Sequence, residues 1–409
     1  MRECDSMLRE DELQKNKEFR IDKIISVAIM SSFIVLTLQY FILISFSLSG
    51  TSSAYFVQML SKIIVGLIFS LALPYVLKRK LKLFILLYGF GVVVFGYNFL
   101  VFPENHSYLI NLIFPFFFMA LPSFIYVLSL RNLEVFKLIT EKIAFIIFIL
   151  GTFLWILIFT GNAIAGVYSM SLSYYMLLPA LVFLGKVFEG NKPVFIIYFL
   201  IALMVILAFG SRGALLCITI YVILRVASPK QKFSSTKILI YGVAGIILVI
   251  SILNYERILL YINKMFLEYG IQSRTINLLL QDEVSLSGRD SIVQTVWNEI
   301  ILSPILGIGV AGDFRIIEGS YVHNFIIEVM GNFGIPVGIL LLGFLMLILV
   351  TTISFSKNYN LIALWISLGF VHLMMSSSYI IDVKFWIFFG ILILSLGELI
   401  NNKSKEHLN

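Results

Sequence analysis

Charge is scarce in this chain: of 409 residues only 13% are Asp, Glu, Lys or Arg, about half the share that a hydrated globular surface carries. An ordinary soluble domain is thereby excluded. Cysteine is scarcer still. Cys4 lies in a polar leader and Cys217 inside an apolar segment, environments too different to bridge, so neither a disulfide nor a thiolate metal site is expected. There is no H-E-x-x-H and no convincing D-x-D pattern, so no divalent metal is implied, and no cofactor is expected. Internal repeats and low-complexity tracts are missing as well. The formal charge of +7 and the pI near 9.2 come from basic residues spread over short loops rather than gathered on one wetted face, which excludes nucleic acid as a partner.

What the chain has instead is apolar surface: 60% hydrophobic residues, 15% aromatic and a mean hydropathy of +0.99. The apolar residues arrive in blocks of about twenty, the length of a bilayer-spanning helix. Twelve windows stand out, at 24–47, 54–77, 83–101, 108–129, 143–160, 168–187, 193–209, 212–226, 238–253, 324–354, 361–378 and 383–400. The expected fold is an all-α polytopic membrane protein with about 12 transmembrane helices. The first window is too long for a signal-peptide core and follows a mixed-charge leader, so it reads as an anchor that stays. Lys and Arg resist transfer across an energised membrane. With the N-terminus inside, 22 of the 30 basic residues fall on the cytoplasmic side and seven on the other, with Lys62 inside the second window. Both termini are therefore expected in the cytoplasm. The expected organisation is a cytoplasmic tail (1–23), helices one to nine (24–253), one large extracytoplasmic loop (254–323), helices ten to twelve (324–400) and a short cytoplasmic tail (401–409).

The large loop is where aqueous chemistry has room. Ile258, Leu259, Ile262, Phe266 and Leu267 recur at helical spacing and predict an amphipathic interfacial helix over Tyr255–Tyr269. Ser287 and Asp290 form a capping signature ahead of a second helix with Val293, Val296, Trp297 and Ile300 on one face, stopped by Ser303-Pro304. Gly307-Ile308-Gly309-Val310-Ala311-Gly312 spells a dinucleotide fingerprint, but neither a strand nor a β-α-β unit surrounds it, so the Rossmann reading is rejected. It is either a plain loop or a backbone that approaches phosphate.

Two positions carry most of the chemical interest. Arg212 follows Gly210-Ser211 and precedes Gly213 at the outer turn between two apolar windows. It is either a snorkelling helix-end arginine or a guanidinium that grips phosphate bidentately. His323-Asn324 opens the tenth window, with Glu328 one turn further on and Gly331, Gly334 and Gly338 beyond. This histidine is either an interfacial ring held by a carbonyl or a base that takes a proton from a hydroxyl. Arg274, Arg289 and Arg315 are further guanidinium groups in the loop, among eight acids that leave it net negative. Lys62 reads as a snorkelling lysine or a second anion contact, while His106, His372 and His407 read as structural.

Taken together, the pieces resemble the bacterial O-antigen and capsular polysaccharide polymerase and O-antigen ligase family, the Wzy-type polymerases and lipid A-core ligases. The matching residues are Gly210-Ser211-Arg212-Gly213-Ala214-Leu215-Leu216, Gly288-Arg289 with Trp297 and Pro304-x-x-Gly307-x-Gly309, and His323-Asn324 followed by Gly334. The ligase pattern departs at Val337, with Gly338 one place later. The resemblance implies a GT-C-like membrane glycosyltransferase that takes glycan from undecaprenyl pyrophosphate at the outer leaflet of the bacterial cytoplasmic membrane, without metal or nucleotide sugar. It implies His323 and Arg212, the arginine of the family's R-x-x-x-L pattern with Leu216, as catalytic residues; Arg289 and Arg274 are then expected beside Arg212 on the pyrophosphate, with Asn324, Glu328 and Gly309 in support. Other polysaccharide-assembly membrane proteins are implied as partners. A polymerase is the leading expectation, with a ligase of the same family or a lipid-linked oligosaccharide flippase as alternatives.

Overall fold

The computed structural model describes residues 2–48, 50–161, 170–190, 192–209, 211–228, 255–268, 273, 276–277, 280 and 289–406. Among them there are helices and turns and no strand. In chain order the helices are α1 (Arg2–Ser45), α2 (Ser52–Val101), α3 (His106–Pro115), α4 (Leu121–Leu128), α5 (Leu133–Phe159), α6 (Met170–Phe188), α7 (Val194–Phe209), α8 (Arg212–Val226), α9 (Tyr255–Glu268), α10 (Arg289–Leu302), α11 (Gly312–Ile316), α12 (Phe325–Phe333), α13 (Ile335–Phe355), α14 (Tyr359–Trp365) and α15 (Val383–Glu406). Among the described residues six stretches are long and apolar enough to cross a membrane: Leu13–Ser45, Ser52–Val101, Pro103–Leu128, Leu133–Phe159, Ile335–Phe355 and Val383–Asn401. Three shorter apolar helices, Leu172–Phe188, Val194–Phe209 and Tyr359–Val371, add to them.

Three of the expected windows meet breaks in the helical backbone. The second and third fall on α2 as two helical stretches that meet at a kink. Its backbone leaves the helical region at Lys80 (φ −140°, ψ 32°), inside the basic cluster that separates the two windows. The tenth window, conversely, is cut in two. Gly334 adopts φ +79° between α12 and α13, and Pro336 opens the first turn of α13, where its missing N–H costs nothing. The apolar span is then Ile335–Phe355, and α12 belongs with the loop. The ninth window, 238–253, lies outside the described residues.

The chain divides into two compact units, residues 1–36, 59–144 and 286–409, and residues 37–58 and 145–285. In the first, one end is closed by ions. Asp22, 1% exposed, accepts Arg79 Nη1 at 2.5 Å and the N–H groups of Arg131 and Asn132 at 3.3 and 3.0 Å. Glu18 pairs with Arg79 and, at 3.0 Å, with Arg131. Every buried charge in this cluster has a partner, as burial demands. Close helix approach is made by small residues: Gly390 of α15 rests against Val127 of α4, and Gly369 against the Lys384 carbonyl. A cavity of about 780 Å³ lies among α1, α2 and the α3–α4 segment, lined by Phe69, Tyr88, Phe118 and Tyr126. Lys62, expected to be buried in its span, is instead exposed on this cavity's wall.

In the second unit α6 and α7 pack along their length, with Ser173 donating to the Ile206 carbonyl at 3.2 Å and the rings of Phe148, Phe183 and Tyr198 in edge-on and tilted contact, their centroids within 5.4 Å of one another. Arg225 at the end of α8 lies over the Phe188 ring at 5.6 Å. The amphipathic helix expected over Tyr255–Tyr269 is α9. Phe266 is buried and Leu259 and Ile262 are half-buried, while Ile258 and Leu267 remain exposed.

Candidate functional site

The site in the first unit is built on the second loop helix. α10 buries Val296 and Ile300 in a small core with Ile308 and Val322, and the chain turns after Ser303-Pro304. The glycine run that follows is a docking device. Gly307 (φ +73°) and Gly334 (φ +79°) meet backbone to backbone: a Cβ on Gly307 would strike the Gly331 carbonyl, and one on Gly334 the Ile305 carbonyl. Two hydrogen bonds lock the contact, Ile308 N–H to Gly331 O at 2.7 Å and Ile335 N–H to Pro304 O at 2.8 Å. Gly309 (φ +76°) sits against the Phe102 ring. Asn98 accepts the Val310 N–H at 2.6 Å, and Asn105 donates to the Ile308 carbonyl at 2.8 Å. Of the run's N–H groups, those of Gly307, Ile308, Val310 and Gly312 are thus spent within the protein, which leaves little backbone for a phosphate. Arg315 is also engaged, donating to Asn105 Oδ1 at 2.9 Å.

From this dock the chain runs through α11 to the segment Tyr321-Val322-His323-Asn324. Asn324 is a helix cap, its side chain accepting the N–H groups of Ile326 and Ile327 at 3.1 and 3.3 Å, as its residue type dictates. His323 precedes it with φ +55°, a left-handed conformation that costs a non-glycine residue about 1–3 kcal/mol. Its ring packs on Tyr321 with centroids 4.2 Å apart. The imidazole Nδ1 is buried and has no hydrogen-bond partner. Burial first, and the Arg289 guanidinium second, hold the ring below the ordinary histidine pKa, so His323 is a neutral base at neutral pH.

Arg289, the first residue of α10, is therefore close enough to His323 for its charge to be felt. The same guanidinium acts on the Tyr321 hydroxyl, which burial raises above its ordinary value and which meets Ser376 in a hydrogen bond. Behind Tyr321 lies Glu328, 2% exposed, accepting the Ser378 hydroxyl and, at 3.3 Å, the Tyr379 N–H. The Tyr379 hydroxyl accepts from Asn332 at 2.8 Å. Further along, Asp382 contacts His372 Nδ1 at 3.2 Å and Lys384 Nζ at 3.9 Å while capping α15 through the N–H groups of Lys384 and Phe385.

Of the residues singled out in the sequence, the structure brings His323, Arg289, Asn324 and Glu328 into one neighbourhood, with Gly309 in the dock beneath it. Arg212 stands in the second unit, half-buried at the start of α8, where the Ser211 hydroxyl caps the helix by accepting the Ala214 N–H at 3.3 Å. Arg274 and His407 lie outside the described residues. His106 stacks on Phe99 at 3.8 Å. Sequence reasoning did not single out Tyr321 or the Asp313 carboxylate for this site, and it missed the pairing of His372 with Asp382 and Lys384. An aromatic two places before the histidine was the one signal available for Tyr321.

Residues 197–342 match a family model described as O-antigen ligase. No curated protein and no solved structure matches the chain. The matched stretch holds Arg212, Arg289, the glycine dock, His323, Asn324 and Glu328. The described residues thus hold six apolar stretches of membrane-spanning length, and residues 197–342 are similar to the O-antigen ligase family.

Proposed function

We propose that the protein is a polysaccharide polymerase of the bacterial cytoplasmic membrane, a metal-independent, GT-C-like inverting glycosyltransferase. It moves glycan from undecaprenyl pyrophosphate to an acceptor sugar hydroxyl at the outer leaflet. The observation that carries this reading is the neutral, half-buried His323, its Nδ1 unpartnered, within the field of Arg289. A base that must accept a proton at neutral pH beside a cation that must accept negative charge is the pair that transfer from a phosphorylated donor needs.

In this reaction the acceptor oxygen attacks the anomeric carbon from the face opposite the leaving group. The new glycosidic bond forms as the bond from carbon to pyrophosphate oxygen breaks, the acceptor proton passes to His323, and the lipid pyrophosphate departs as an anion. Arg289 offsets the charge on that anion. Arg212, as the family's R-x-x-x-L arginine, is expected to act on the same anion, and Arg274 is a further candidate by sequence alone. In this reading both termini lie in the cytoplasm and residues 254–323 outside.

The family description favours a second reading, a ligase with the same donor chemistry and a different acceptor. One experiment separates the two: the surface glycan ladder and lipid-linked intermediates in cells lacking the protein. A polymerase leaves single repeats on lipid, accessible from outside. Complete chains stranded on lipid identify the ligase, repeats trapped inside identify a flippase, and an unchanged ladder rejects the glycan reading.

A further inference from the structure

We propose that Asp313 is the positioning residue of His323: through the Val322 N–H it fixes the backbone turn that presents the imidazole. The inference rests on the reading of His323 as the base. Asp313 lies on α11, directly behind the glycine dock, and is 1% exposed. Its Oδ2 accepts the Val322 N–H at 3.2 Å. Val322 is the residue before His323, and its side chain is fully buried against Val296, Ile300 and Ile308. Asn324, on the other side, is fixed as the cap of α12. His323 is thus strung between two anchored neighbours, and a left-handed histidine persists only where its surroundings over-determine it. The same carboxylate sets the platform on which the ring rests, because Phe314, the next residue, packs on Tyr321 with centroids 6.0 Å apart, and Tyr321 packs on His323.

Stability alone does not account for this acid. Its carboxylate is buried, its Oδ1 has no well-aligned hydrogen bond although the Phe314 N–H lies close to the group, and Glu328 is near enough for the two carboxyl groups to repel. A constraint on where His323 points does account for it.

The test uses the purified full-length protein in detergent, with diethylpyrocarbonate labelling of His323 followed by mass spectrometry as a function of pH. Asp313→Ala removes the acceptor, whereas Asp313→Asn keeps an oxygen for the Val322 N–H. In the alanine variant His323 is expected to label faster than in the wild type as local protection is lost, with its titration moving up toward the ordinary histidine value as burial is lost. Glycan output in cells is expected to fall about tenfold to a hundredfold. Asn is expected to restore both. Unchanged labelling and titration in Asp313→Ala, or failure of Asn to restore either readout, overturns the proposal. The outcome is separable from that of the functional reading, because labelling reports the position of His323 even if His323→Ala leaves glycan unaltered.

Discussion

At the scale of single residues the account turns on His323 being neutral and held. Its replacement by Ala is expected to lower glycan transfer by about a hundredfold to ten-thousandfold, at unchanged protein level, read from the polymer ladder and an immunoblot. Arg289 is the second reason, after burial, that the ring resists protonation. Arg289→Gln is therefore expected to raise the pH midpoint of His323 labelling toward the ordinary value of 6.5; a midpoint that stays put or falls contradicts the pairing. Asp313 supplies a test in the opposite sense. Burial raises its carboxyl from 3.8 to about 6, so the folded protein binds more protons than the unfolded chain between those values, and stability falls as pH rises through that window. Asp313→Asn removes this loss, and the gap in Tm between variant and wild type is expected to widen in the variant's favour from pH 4 to pH 7. His323, Asn324, Arg289 and Glu328 were legible in the sequence because each is a chemically unusual residue next to a breaker or cap. Asp313 was one of eight acids in its loop, and what distinguishes it is a backbone bond to Val322 that no spacing rule encodes.

At the scale of elements, the glycine run shows how a motif that spells one thing does another. Its glycines permit a loop and a helix end to touch through their backbones, and the N–H groups that a phosphate would need are consumed in doing so. Gly307→Ala and Gly334→Ala each combine a forbidden φ with a collision against a carbonyl, and each is expected to lower the melting temperature of the detergent-solubilised protein and to release His323. Gly331→Ala is a milder change, meeting only side-chain carbons of Ile300 and Ile308 at 3.3 Å. A melting temperature for Gly307→Ala above that for Gly331→Ala contradicts the docking account. Helix existence was readable from apolar windows and caps, and α9 and α10 fall where the pattern places them. Helix partition was readable only in part: the basic cluster marks the break at Lys80, whereas a continuous apolar run hides the break at Gly334, because hydropathy reports solvent and that boundary is set by backbone geometry.

At the scale of the whole molecule, paired charges tie helices together at one end of the first unit. Arg79, Glu18, Asp22 and Arg131 tie α1, the break in α2 and the turn after α4 at one end of the first unit. Removing one partner leaves buried charge uncompensated, which costs about 3–5 kcal/mol, so Arg79→Ala is expected to unfold or fail to accumulate, with Arg79→Lys intermediate; wild-type abundance and melting temperature in Arg79→Ala would count against it. The membrane class was legible from composition alone, because lipid as solvent leaves its mark on every helix. The central claim, that this chain transfers glycan from a lipid pyrophosphate with His323 as base, is tested most directly by one measurement. That measurement is the surface glycan ladder and lipid-linked pool of cells whose only copy of the protein carries His323→Ala. The account predicts loss of polymer, with unextended units on lipid accessible from outside. A normal ladder from a normally abundant His323→Ala protein would contradict it.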